Sequence, residues 1–106
     1  MIRVTLLYQK SKGTRFDFDY YVNHHVTMSR RLLADCGLRS IEVEKVASLM
    51  DGSPSDLHCI THVDFEDEAC LTKALTLHGE EMMADFVNYT DIEPEIHICE
   101  VLTTGI

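Results

Sequence analysis

The hydrophobic periodicity of the 106 residues predicts an α+β domain in which one four-stranded antiparallel sheet carries its helices on a single face. Two observations carry this expectation: four segments alternate with the period of a strand while two stretches switch to the 3.6-residue period of a helix, and the elements follow in the order β-α-β-β-α-β. No Pro-, Gly- or Ser-rich linker divides the chain, so residues 1–106 are expected to form one domain around one core.

In the first strand Ile2, Val4, Leu6 and Tyr8 alternate with Arg3, Thr5, Leu7 and Gln9, and Ser11 to Gly13 supply a loop after it. The first helix is expected over residues 18 to 36, with Asp17 as N-cap, Asp19 adding negative charge to the first turn and Gly37 just past the end. Ile41, Val43 and Val46 mark a second strand over 39 to 49. The turn-rich Asp51, Gly52, Ser53 and Pro54 follow, and Leu57 to Phe65 reads as a third strand in a hairpin with the second. Asp67 is placed to cap a second helix through Ala69, Leu71, Ala74 and Leu75, and Gly79 offers a break before a short further helix over Glu80 to Phe86. Ile92, Ile96 and Ile98 alternate with polar neighbours in a last strand over 92 to 102. Pro94 cannot donate to a ladder, so this strand is expected at an edge or to begin with a bulge. The order is that of the ferredoxin-like, split βαβ arrangement.

Composition narrows the function classes. The apolar fraction of 45% with 25% charged residues is that of a globular protein, and no apolar run approaches the ~20 residues of a membrane span. Eighteen acidic against nine basic side chains, a formal charge of -9, repel phosphate backbones and anionic headgroups, so neither nucleic acid nor a membrane is expected as partner. The residues after Met1 lack the apolar stretch and cleavage site of a secretory signal, which makes the cytoplasm the expected compartment. Cys36, Cys59, Cys70 and Cys99 form no CxxC pair and are expected as reduced, small buried hydrophobes. No GxGxxG, GxxxxGK[ST] or GxSxG occurs, and no His/carboxylate spacing suits a metal; neither cofactor nor metal is expected.

On the third strand Leu57, Cys59, Thr61, Val63 and Phe65 line one side and His58, Ile60, His62 and Asp64 the other, while Leu7 sits on the less apolar side of the first strand. Two half-apolar faces with helices for only one predict a homodimer in which a second copy covers the other.

Advancing 100° per residue, the apolar stripe of the first helix is centred on Phe18, Val22, His25, Ser29, Leu32 and Cys36, with Tyr21 at its margin and Tyr20, Asn23 and His24 opposite. His25 therefore faces inward. It is either a buried imidazole satisfied by a carbonyl or by Tyr21, or a general acid/base beside a small apolar cleft. His62, on a central strand, admits the same two readings. His78 is a weaker candidate, His58 and His97 read as rim groups, and Met82, Met83 and Phe86 read as core packing. Asn88, Tyr89, Thr90 and Asp91 are expected to form a structured turn that closes one end of the cleft.

The stretches RFDFDYYVNHHVTM (15 to 28) and MMADFVNYTDIEPEIHICEV (82 to 101), with IRVTLLY at the start and ITHVDF at 60 to 65, resemble the EthD family, named from bacterial ether-degradation gene clusters. The likeness spans nearly the whole chain. It implies a dimeric α+β barrel, in which the sheet of one ferredoxin-like monomer packs face to face with that of its partner. Carried over position by position, the family's tyrosine pair falls on Tyr20 and Tyr21, its helix histidine on His25, its strand histidine on His62 and its Asn-Tyr-Thr-Asp run on Asn88 to Asp91. Thr27 stands where the family pattern has proline. Fold relatives include small monooxygenases, isomerases and cyclases that work in a cleft between sheet and helices. The reading that results is a small cofactor-independent enzyme, reductase-, monooxygenase- or isomerase-like, acting on a hydrophobic aromatic or lactone-like compound. In it His25, Tyr21 and His62 carry the chemistry and Asn88, Tyr89 and Asp91 bind substrate. The alternatives are a non-catalytic accessory or ligand-binding dimer that supports a partner oxygenase, and a structural dimer whose histidines are core residues.

Overall fold

Residues 1–106 are described by a computed structural model. Strands β1 (Ile2–Gln9), β2 (Leu38–Lys45), β3 (Leu57–Phe65) and β4 (Glu95–Glu100) form one sheet in the order β2-β3-β1-β4, with every neighbouring pair antiparallel. Helix α1 covers residues 18–33 and helix α2 covers Glu68–Ala84, and both pack on the same sheet face. The α+β, ferredoxin-like class is as expected, and β4 is an edge strand that begins directly after Pro94.

Register explains which residues become the core. Val4 lies opposite Val63 on one side and Ile98 on the other, and Leu6 lies opposite Thr61 and Ile96, so the alternating set of each strand turns to the same, helix-bearing face. Two clusters fill the space beneath the helices. Leu33, Cys36, Phe65, Leu71 and Ala74 lie where α1 meets α2, and Tyr8, Tyr21, Val26, Ile41, Cys59, Tyr89 and Ile92 lie at the other end.

Both helices start on an aspartate, Asp17 accepting from the Tyr20 N–H at 3.0 Å and Asp67 from the Cys70 N–H at 2.9 Å, which satisfies donors that the first turn leaves free. Gly37 ends the turn after α1 at φ +69°, the left-handed conformation expected of it.

Several expectations are corrected. α2 runs unbroken through Gly79, because one glycine costs a helix only ~1 kcal/mol and cannot outweigh the packing of 17 residues. β2 and β4 are shorter than predicted. Cys36 and Cys59 are buried, but Cys70 is half-buried and Cys99 is exposed on the edge strand. The sheet face without helices is mostly polar rather than half-apolar. There Arg3 grips Asp64 through two bonds of 2.8 and 2.9 Å, Thr5 meets His62 at 3.2 Å, His62 lies 3.4 Å from Glu44, and His97 pairs with Glu95. Leu7 and Ile60, opposite one another, stand among these pairs.

Candidate functional site

Between the sheet and the helices lies a cavity of about 530 Å³, and 18 of its 24 lining residues are hydrophobic, which makes it a place for an apolar molecule. Val4, Leu6, Val63, Ile96 and Ile98 form the sheet wall; Val26, Ser29 and Leu33 come from α1, and Leu75, Met82 and Met83 from α2. Met82 packs against the second core cluster as expected and also lines this space, whereas Met83, expected as core, is 77% exposed there. The polar end is built by Tyr8, Tyr21, His25, Thr61 and Tyr89.

A π-helical turn in α1 positions two of these. Over Tyr21–His25 the Val26 N–H reaches back five residues to the Tyr21 carbonyl, which widens the turn and shifts the phase of the helix. Tyr21, 2% exposed, and Val26 therefore both face the sheet, with His25 beside them. Val22, expected at the centre of the inward stripe, is 44% exposed, and Leu33 rather than Leu32 is buried.

His25 is oriented from outside its own helix. Its Nδ1 lies 2.9 Å from an oxygen of Asp85, the residue that ends α2, and an ionised carboxylate can only accept, so Nδ1 carries the ring proton. The other Asp85 oxygen accepts from the Tyr20 hydroxyl at 2.6 Å and from the Asn88 amide at 2.9 Å. Partial burial pushes the Asp85 carboxyl up, but the bonds from Tyr20, Asn88 and His25 outweigh it and hold the group below the usual carboxylate range. The Nε2 of His25 has no protein partner, and no buried side-chain polar atom lacks one, so this nitrogen is accessible; His25 is one of the residues that line the cavity. The ring is held by aromatic contact, stacked on Tyr21 at 5.4 Å and tilted against Tyr89 at 4.8 Å.

The hydroxyls form a second group. Tyr21 and Thr61 are bonded at 2.8 Å and Tyr8 and Tyr89 at 3.2 Å. Burial raises all three phenols, Tyr89 to about 12 with Tyr8 and Tyr21 higher, so they stay protonated near neutral pH.

Of the residues expected in the site, Tyr21, His25 and Tyr89 come together there. His62 does not: strand alternation puts it on the helix-free face, with Thr5 and Glu44. Asn88 is exposed and touches the site only through Asp85. The turn at Asn88 to Asp91 is structured, but Asp91 faces away and accepts from the N–H groups of Thr14 and Arg15 at 3.0 and 2.9 Å, fastening that loop. Asp85, Tyr8 and Thr61 were not expected in the site. Thr61 had a readable signal, a hydroxyl inside the apolar alternation of β3. Asp85 had none, since its partner lies 60 residues away.

No protein-family model matches the chain, and no curated protein does. Solved structures do. An EthD-like protein from Ralstonia eutropha JMP134 is 30% identical with a TM-score of 0.88, the match covering 98% of this chain and 94% of that one. An EthD family protein from Bacillus halodurans C-125 is 22% identical with a TM-score of 0.75 over 96% and 99% of the two chains. SnoaB, a cofactor-independent oxygenase from Streptomyces nogalater, is 10% identical with a TM-score of 0.65 over 97% and 94%. The last two likenesses concern the fold alone.

Proposed function

Because the chain belongs to the EthD family, and because its one large apolar cavity is lined by His25, whose second ring nitrogen has no protein partner, we propose that it is a small enzyme. It works with its own side chains on a hydrophobic, aromatic or lactone-like compound held between sheet and helices. The observation that supports the proposal is the His25–Asp85 pair: in this reading Nε2 is the base, and Asp85 fixes the tautomer and stabilises the cation formed when His25 takes a proton. Tyr21 and Tyr89 hold the ring against tilting, and the apolar walls exclude water from the transfer. That SnoaB, with the same fold, is a cofactor-independent oxygenase is consistent with such chemistry, although fold alone does not choose the reaction.

Titration with naphthalene, followed by NMR of the histidine ring nitrogens, tests the reading. The expected result is a ligand-dependent shift at His25 and none at His62, with His25→Gln still folding and binding while losing any proton-transfer activity. No shift at His25, or shifts at the helix-free face instead, would overturn it. Undiminished activity in His25→Gln would overturn the acid/base role of His25, and naphthalene binding without any proton-transfer activity in the parent would favour the accessory, ligand-binding alternative.

A further inference from the structure

The four hydroxyls at the end of the cavity do a job that the acid/base pair leaves open. Tyr8, Tyr21, Tyr89 and Thr61 bring four hydroxyl protons, and two of these are used in the bonds between Tyr8 and Tyr89 and between Tyr21 and Thr61. Tyr8 and Tyr21 are themselves in hydrogen-bonding contact, and the thiol of Cys59 lies 3.6 Å from the Thr61 oxygen, where either atom can donate. With the thiol as donor, the run Thr61, Tyr21, Tyr8, Tyr89 ends in a Tyr89 O–H that has no protein acceptor and is free for a ligand. The cluster is a donor that does not ionise near neutral pH, because the phenols are buried 97% or more. It also stands close to the base, since the Tyr21 and Tyr89 rings that bear two of the hydroxyls are the rings packed on His25. No Lys or Arg lines the cavity, so an anionic ligand has no lysine or arginine counter-charge there and a neutral one fits.

We propose that this hydroxyl cluster binds the carbonyl oxygen of a neutral, apolar ketone or lactone, and that His25 removes a proton from the carbon beside that carbonyl. The Nε2 lone pair takes the proton, and the C–H electron pair becomes the C=C bond of an enolate. The carbonyl π pair moves onto oxygen, where the spare O–H donates to it. His25 is then an imidazolium held by Asp85. Return of the proton to the same carbon regenerates the substrate, and delivery to another atom of the enolate system gives an isomer, with no oxidant consumed. The proposal rests on the acid/base role of His25 argued above.

The probe is 2-tetralone, a bicyclic ketone with acidic C–H groups, and the readout is loss of its α-proton signals in D2O against the buffer rate, with naphthalene binding measured in parallel. The parent protein is expected to accelerate exchange. His25→Gln is expected to bring it to the buffer rate, and Tyr89→Phe to lower it by about 100-fold, the effect of losing one oxyanion donor. In Tyr89→Phe, naphthalene affinity should be unchanged, which shows that the variant is folded and its cavity intact. Thr61→Val is a second variant of the cluster with the same expectation in direction. Naphthalene binding without accelerated exchange would overturn the carbonyl assignment and leave the apolar-cleft reading standing. Exchange that is undiminished in both Tyr89→Phe and Thr61→Val would overturn the role of the hydroxyls alone. Binding of neither compound would overturn both readings.

Discussion

At the scale of single residues, two aspartates decide where charge is tolerated. Asp64 is 4% exposed, and its carboxylate is acceptable there because Arg3 meets it with two parallel bonds and Ser40 adds a third at 3.3 Å. The Arg3 bond is the main cause that holds Asp64 below its usual range, against the opposing effect of burial. A carboxylate whose folded value is depressed adds stability that is fully present above the unfolded value near pH 4 and is lost as pH falls through the folded value. Arg3→Ala strands this carboxylate and is expected to cost about 1 to 3 kcal/mol at pH 7. Melts of the two proteins across pH 2 to 7 should converge on the acid side, where Asp64 is protonated in both; a gap that stayed constant with pH would contradict the ion-pair account. Asp85, held low by its three donors, should likewise lose its contribution on acidification. Asp85→Asn, measured by the same ring-nitrogen NMR, is expected to disturb the His25 tautomer because an amide can donate as well as accept.

At the scale of the element, two glycines have opposite meanings. Gly37 holds φ +69°, and a Cβ there would run into the Cys70 sulfur and its Cβ, in the crowded place where α1 turns back over the start of α2. Gly37→Ala is expected to lower stability by about 1 to 3 kcal/mol through strain and clash together. Gly79 sits in the middle of α2 with nothing within 4 Å of an added Cβ, so Gly79→Ala should raise stability by up to about 1 kcal/mol. Denaturant melts of the two variants beside the parent check both signs, and destabilisation by Gly79→Ala would mean that α2 uses the glycine as a flexible point after all. Helix α1 shows a different use of local freedom: its π turn costs regular hydrogen bonding and in return directs Tyr21, His25 and Val26 toward the sheet together.

At the scale of the whole molecule, a four-stranded sheet with helices on one face leaves its other face to be accounted for. No helix is long and apolar enough to cross a membrane. On the free face Arg3 is paired with Asp64, His62 and His97 lie against Glu44 and Glu95, Glu42 has no ionic partner, and Leu7 with Ile60 provides an apolar centre. Because this apolar centre lies on the one sheet face that no helix covers, we infer that a second copy packs on it. Sedimentation at micromolar concentration is expected to give about twice the 12.1 kDa of the chain. Leu7→Glu together with Ile60→Glu should shift it to the monomer without unfolding it, since both residues lie outside the two core clusters. A monomer in the parent protein would contradict the assignment.

The sequence by itself determined what depends on neighbours a few residues apart. The strand alternation, the capping aspartates Asp17 and Asp67, the left-handed Gly37 and the edge position forced near Pro94 follow from local sterics and local hydrogen bonds, and with the order of elements they define the fold. Only the tertiary structure decided the site. The pairs His25–Asp85, Tyr21–Thr61 and Tyr8–Tyr89 join residues 60, 40 and 81 positions apart, and no periodicity of 2 or 3.6 carries information over such spans. The π turn shifted the inward stripe of α1 by about one residue, which is why Val22 was expected inside and Tyr21 only at the margin. The sequence puts His62 on a central strand, but a strand offers two faces. Which face meets the helices is settled by how the whole sheet packs, and here that packing separates His62 from the cavity.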